Sequence, residues 1–197
     1  MSAELDPRAR EVLDFWFGAP GSAEYGSART QWFAKDTAFD ADVRSRFGDL
    51  IERALDGRLD AWERTPPSAL ARILLLDQYT RNAYRDTPRA FSGDARALAA
   101  ARQLVASGDD ATLPPFQRAF VYLPYEHSET LAVQDEAVRL FERLGAEAPD
   151  QAGLMEWAVR HRAVVARFGR FPHRNVILGR VSTADESAFL DGPGSRF

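Results

Sequence analysis

Apolar residues recur at helical spacing along most of the chain. Val12, Leu13, Trp16 and Phe17 form one face of a predicted helix over Pro7–Phe17, which Asp6 can cap, Pro7 can open and Gly18 can stop. Gly, Ser and Ala dominate residues 18–30, which read as a loop, and Trp32 and Phe33 anchor the chain after it. Val43, Phe47, Leu50, Ile51 and Leu55 predict a second helix over residues 39–55, ended by Gly57. The helix opening at Pro66 and Pro67 carries Leu70, Ile73, Leu74, Leu75 and Leu76 and is apolar nearly all round, as an element buried on several sides is. Further helices are expected over 93–107, from Pro114 and Pro115 through Phe116, Phe120 and Val121, and over 128–144 and 151–168. A short last one covers 183–190, with Ser182 as its cap and Asp185 or Glu186 in its first turn.

No run alternates with period two between hairpin turns; the nearest, residues 175–181, is short and interrupted by Gly179. The pattern therefore predicts an all-α fold of about eight helices packed as antiparallel pairs, similar to tetratricopeptide-repeat proteins but with no visible repeat period. No linker divides the chain, so one domain is expected over residues 1–197, with 191–197 as a mobile tail.

Several polar residues stand where helical spacing calls for core. Asp77 and Arg81 continue the stripe of Leu70, Ile73 and Leu74, with Gln78 and Asn82 beside them. Gln134 interrupts the stripe of Leu131, Val138 and Phe141, and His161 that of Trp157, Val164, Val165 and Phe168. Burying such groups is costly unless they are paired. Two loop segments hold more of them: Pro124 to Glu129, with Arg118 upstream, and Arg167 to Asn175, followed by Arg180.

Composition and charge sharpen this picture. With 45% hydrophobic and 27% charged residues over 197 positions, the chain is an ordinary globular one. It has no cysteine, which excludes disulfides, thiolate metal sites and cysteine nucleophiles. Of its 25 basic residues all but Lys35 are Arg, and the net charge is −4. Residues 157–181, however, carry +6, leaving −10 on the rest. Those arginines either pair with carboxylates such as Asp77, Glu126, Glu129 and Asp135, or form an anion pocket in which guanidinium forks bind carboxylate or phosphate. A chain-wide preference for Arg also accounts for the scarcity of Lys. A nucleic-acid surface, with Phe168 and Phe171 stacking on bases, is disfavoured by a pI near 5.5.

His127, His161 and His173 are the three histidines. They lack the His-x-x-x-His and Glu-x-x-His spacings of helical metal sites, so no metal and no other cofactor is expected. The run Glu126-His127-Ser128-Glu129 holds an acid, a base and a hydroxyl, but Ser128 fits better as the cap of the following helix, with Glu129 in its first turn. Phosphate-loop, dinucleotide and nucleophile-elbow motifs are absent. Purely apolar runs, such as the four residues Ile73–Leu76, are too short for a membrane span, and the start of the chain lacks the apolar core of a signal peptide, so a cytoplasmic protein is expected.

The segments Leu74-Leu75-Leu76-Asp77-Gln78 with Arg81-Asn82 and Tyr84-Arg85, then Ala90-Phe91, Leu123-Pro124, Glu126-His127-Ser128-Glu129 with Gln134, and Arg167 to Asn175 with Gly179-Arg180 and Ser182-Thr183, together resemble the bacterial domain-of-unknown-function family 924. The resemblance runs from Trp16-Phe17 to Phe189-Leu190. It implies an all-α, tetratricopeptide-repeat-like fold and carries no activity and no catalytic residues.

The expectation is a polar pocket formed by the two motif loops and the Asp77–Arg85 segment, binding a small anionic metabolite. Arg118, Arg167, Arg170 and Arg174 are the candidate clamps, with His173, Asn175, Gln78, Arg81 and Gln134 as further ligand-binding candidates. His127 or His161 is the candidate proton-exchanging group, oriented by Asp77 or Glu126. The competing expectation is a protein-binding helical scaffold in which the same network is purely structural.

Overall fold

The computed structural model describes residues 5–32 and 34–195, and every one of its regular elements is helical. In chain order they are α1 (Pro7–Phe17), α2 (Thr37–Leu55), α3 (Pro66–Leu74), a π-helical turn (Leu75–Tyr79), α4 (Thr80–Ala83), α5 (Asp94–Ala106), α6 (Pro115–Glu126), α7 (Leu131–Glu147), α8 (Leu154–Phe168) and α9 (Ala184–Leu190). Short 3-10 turns lie between several of them. Because the π turn joins α3 to α4 without a break, the described residues form eight separate helices. The segment 175–181 is a succession of turns.

Local chemistry accounts for most helix boundaries. The Asp6 carboxylate accepts from the Arg8 N–H at 2.8 Å and Pro7 opens α1, as the sequence predicts. Asp36 caps α2 through the N–H groups of Ala38 and Phe39, so that helix starts two residues before the predicted one. Trp32 anchors the loop after α1 by donating from Nε1 to the Trp16 carbonyl at 3.1 Å; Phe33 lies outside the described residues. Within the expected tail the Ser195 hydroxyl donates to the Leu190 and Gly192 carbonyls, and residues 196–197 lie outside the described residues.

The chain forms two compact units, the first comprising residues up to Arg85 with Arg89–Pro124, the second Asp86–Pro88 with the residues from Tyr125 on. The core of the first is aromatic: Trp16, Phe17, Phe47 and Tyr79 are fully buried, and the Tyr79 hydroxyl donates to the Val12 carbonyl at 2.9 Å. Its least expected feature is the π turn. An α-helix can hide five consecutive residues only if it is surrounded, and here Leu75, Leu76, Asp77, Gln78 and Tyr79 are all buried. The wider turn frees carbonyls that α geometry would use, and the Thr80 hydroxyl takes two of them, donating to Leu76 at 2.8 Å and Asp77 at 3.1 Å. Gly93 packs so closely on this turn that a Cβ there would sit 2.1 Å from the Leu76 carbonyl oxygen; only glycine fits.

In the second unit α7 and α8 pack along each other, and Val164, Val165 and Phe171 form a small core flanked by Phe168 and Phe189. Val133, Ala137, Leu140, Phe141 and Leu144 of α7 are buried as well, and the candidate site is the group of buried polar side chains near Phe171.

Candidate functional site: a histidine cluster in the second unit

The loop from α6 to α7 is shaped by one amide. Gln134, with 0% of its surface exposed, donates from Nε2 to the carbonyls of Glu126 and Ser128, each at 2.6 Å. Holding both carbonyls forces one further turn before α7 begins and presents His127 between them. The helix therefore starts after Thr130, not at Ser128. The Ser128 hydroxyl instead accepts from the Thr130 N–H at 3.2 Å. Glu129, expected in the first turn of α7, stands outside the helix.

That displacement gives Glu129 another role. Its carboxylate takes both arms of the Arg180 fork, at 2.7 and 2.9 Å, and also accepts the Phe171 N–H at 2.8 Å. Arg180 donates in turn to the Phe171 carbonyl at 3.0 Å. The peptide groups on both sides of Phe171 are thus pinned by one ion pair. Burial works against the Glu129 charge, but the bonds from Arg180 and Phe171 prevail and hold its carboxyl below the usual range.

The chain reaches Phe171 by a reversal at Gly169, whose φ of 68° ends α8 in the left-handed conformation that favours glycine. Arg170 then forks onto Glu186 at 2.6 and 2.8 Å and donates to the Val181 carbonyl at 2.9 Å. Glu186 closes a capping box with Thr183 at the start of α9 and receives the Asn175 amide at 3.3 Å. Thr183, not Ser182, is the cap, because its partner three residues on is the carboxylate that also binds Arg170. Led by the Arg170 bonds, these donors hold the Glu186 carboxyl down to about 2. Its contribution to stability is complete above pH 4.5 and is lost as pH falls toward 2.

Between these two pinned segments the chain's three histidines converge. His161, on α8 and 7% exposed, has Nδ1 2.8 Å from the Trp157 carbonyl and 3.4 Å from the Glu126 carboxylate. The His127 ring lies edge-on to it with centroids 6.4 Å apart. On its other side stands Phe171 at 5.7 Å, against which His173 packs at 5.5 Å. The Arg174 guanidinium, also buried, lies 4.7 Å over the Phe171 ring. Burial, followed by the positive charge of Arg174 and the proximity of His161 and His127, holds His173 down to about 3, so it is neutral at pH 7.

The other predicted residues fall elsewhere. Arg167 is exposed and stacks on Phe168 and Phe189, at 4.6 and 6.0 Å. Asp77, Gln78, Arg81 and Arg118 belong to the first unit. There Gln78 donates to the Asp77 carboxylate at 2.6 Å, and Arg81 bridges Asp77 and Asp94. Arg118 is buried on α6. Among the described residues no group of three His, Asp or Glu side chains is arranged to hold a metal, and no helix is long and apolar enough to cross a membrane. Two open grooves of about 680 and 510 Å³ lie in the first unit, one lined by Thr30, Gln31, Ala34, Lys35, Asp36 and Thr37 and the other by a mixed-charge group that includes Arg10, Asp14, Phe15 and Arg46. Neither is lined by the residues singled out from the sequence. Glu129 is among the carboxylates expected to pair with the arginines, whereas Glu186 as an arginine partner and Phe171 as the ring at the centre of the cluster were not singled out; the Thr183-x-x-Glu186 spacing is the one local signal for either.

Fold and site together define an all-α protein whose second unit sets His161 and His173 against one buried phenylalanine, with His127 against His161. The chain belongs to the family described as bacterial protein of unknown function (DUF924), whose model matches residues 12–194. It is similar to the solved structure of a protein of unknown function, ATU0120, from Agrobacterium tumefaciens, at 37% identity and a TM-score of 0.80 over 94% of this chain and 98% of that one. No curated protein matches it.

Proposed function

We propose that the histidine cluster of the second unit binds a small anionic molecule, with Arg174 meeting its charge and His161 exchanging a proton with it. The observation that carries this reading is the convergence of His127, His161 and His173, drawn from a loop, a helix and a 3-10 turn, on Phe171 and Arg174. Structural pairing explains Arg170, Arg180 and Arg81, each forked onto a carboxylate.

Two physical arguments support the reading. The positive charge of Arg174, which after burial helps keep a proton off His173, also favours a negative group beside it. His161 is oriented as a general base is: its Nδ1–H points at the Trp157 carbonyl and the Glu126 carboxylate, which places the lone pair of the neutral ring on Nε2.

The test is thermal unfolding at constant ionic strength with acetate, benzoate, inorganic phosphate and phenyl phosphate. A ligand present at a hundred times its Kd should raise the midpoint by about 5–10 °C. Arg174→Gln should abolish the rise while the variant stays folded by circular dichroism. A rise that survives both Arg174→Gln and His161→Asn, or no rise with any of the four anions, would overturn the proposal.

A further inference from the structure

Trp157 is the half-open aromatic residue next to the cluster. It stands four residues before His161, so the two side chains leave the same face of α8, about 6 Å apart along the helix axis. Its own carbonyl receives the His161 Nδ1–H, which ties the two residues together. The rest of that face is covered: His161, Val164 and Val165 are buried, whereas Trp157 is 48% exposed. An indole left half in water at the end of an otherwise buried stripe is an unused apolar surface beside a polar site.

The side chain is also held in place. The Arg160 guanidinium lies 5.0 Å over the indole, and Glu156 holds Arg160 from one turn away at 2.5 Å. The cation above the ring adds to its attraction for an electron-rich partner.

Resting on the reading above, we infer that the anion taken by the cluster is an aromatic one, its acidic group at His161 and Arg174 and its ring against Trp157. The roughly 6 Å between the two residues along the helix matches the length of a phenyl ring carrying a carboxylate or phosphate. Aliphatic anions of the same charge fill the cluster and leave the indole in water. Trp157 is then a specificity residue, and its removal should affect ring-bearing ligands alone.

Calorimetric titration compares benzoate with acetate, and phenyl phosphate with inorganic phosphate, on wild type, Trp157→Ala and Trp157→Phe. Wild type should bind the aromatic member of each pair at least about tenfold more tightly. Trp157→Ala should bring each pair to within about twofold while leaving acetate and phosphate affinities unchanged, and Trp157→Phe should keep part of the preference. Equal binding of both members by wild type would overturn this inference and leave the anion site standing. A preference that persists in Trp157→Ala would overturn it too. Binding of neither member would overturn the anion site itself.

Discussion

Replacing Arg81 with Ala is expected to destabilise the protein by about 3–5 kcal/mol, the range for removing one partner of a buried ion pair. Arg81, on α4 just after the π turn, has its Nη1 3.0 Å from the buried Asp77 carboxylate and 2.7 Å from the Asp77 carbonyl. It also forks onto Asp94 at 2.9 and 3.2 Å, linking this rod to α5. Without it, the Asp77 and Asp94 carboxylates lose the cation they share. Arg81→Lys should recover part of the loss, since an ammonium supplies charge but not the fork. Urea unfolding measures both; an Arg81→Ala loss below about 1 kcal/mol would show that Asp77 is neutral or amply held by other groups.

The second large effect is on pH dependence. An unfolded histidine takes up its proton as pH falls through 6.5, whereas folded His173 does so only near 3. Between those values the unfolded chain binds more protons, so the His173 contribution is complete above pH 6.5 and is lost on acidification. The slope is about 1.4 kcal/mol for each pH unit. His173→Gln should remove it. The difference in unfolding free energy between wild type and variant, followed from pH 7.5 to 4.5, isolates this group, because the Glu186 loss begins below that range. A difference that stays constant with pH would mean that His173 titrates alike in both states.

How much of this was legible in the sequence depends on how far away the deciding partner lies. Asp6 and Pro7 predict the start of α1 because cap and helix are neighbours, and Pro66-Pro67 does the same for α3. Runs of neighbouring hydroxyls mislead. Ser128 and Thr130, and likewise Ser182 and Thr183, have similar local capping power. The choice is made by Gln134 in one case and by the Arg170 partner Glu186 in the other. The π turn is hidden for a related reason: an i to i+5 bond differs from an α-helical one by a single residue, and only the burial of all five residues from Leu75 to Tyr79 selects it.

The same distance argument applies to the charges. The +6 stretch is plain in the sequence, but whether each arginine is paired is decided by carboxylates 16 residues away for Arg170 and 51 for Arg180. Pairing with Glu129 and Asp135, expected for the arginines of this stretch, is what Arg180 and Arg162 do, whereas Asp77 pairs with Arg81, outside it. That His127, His161 and His173 gather around Phe171 cannot be read from spacing, since no two of them share an element.

The central claim is that these three imidazoles form one anion site, and nitrogen-15 NMR of the histidine rings tests it most directly. On titration with phenyl phosphate at pH 7, the resonances of all three rings should move together and saturate with a single Kd, and a pH titration of the complex should place the protonation of His173 above its value in the free protein. Ring resonances that stay fixed at saturating phenyl phosphate in the folded protein would contradict the account.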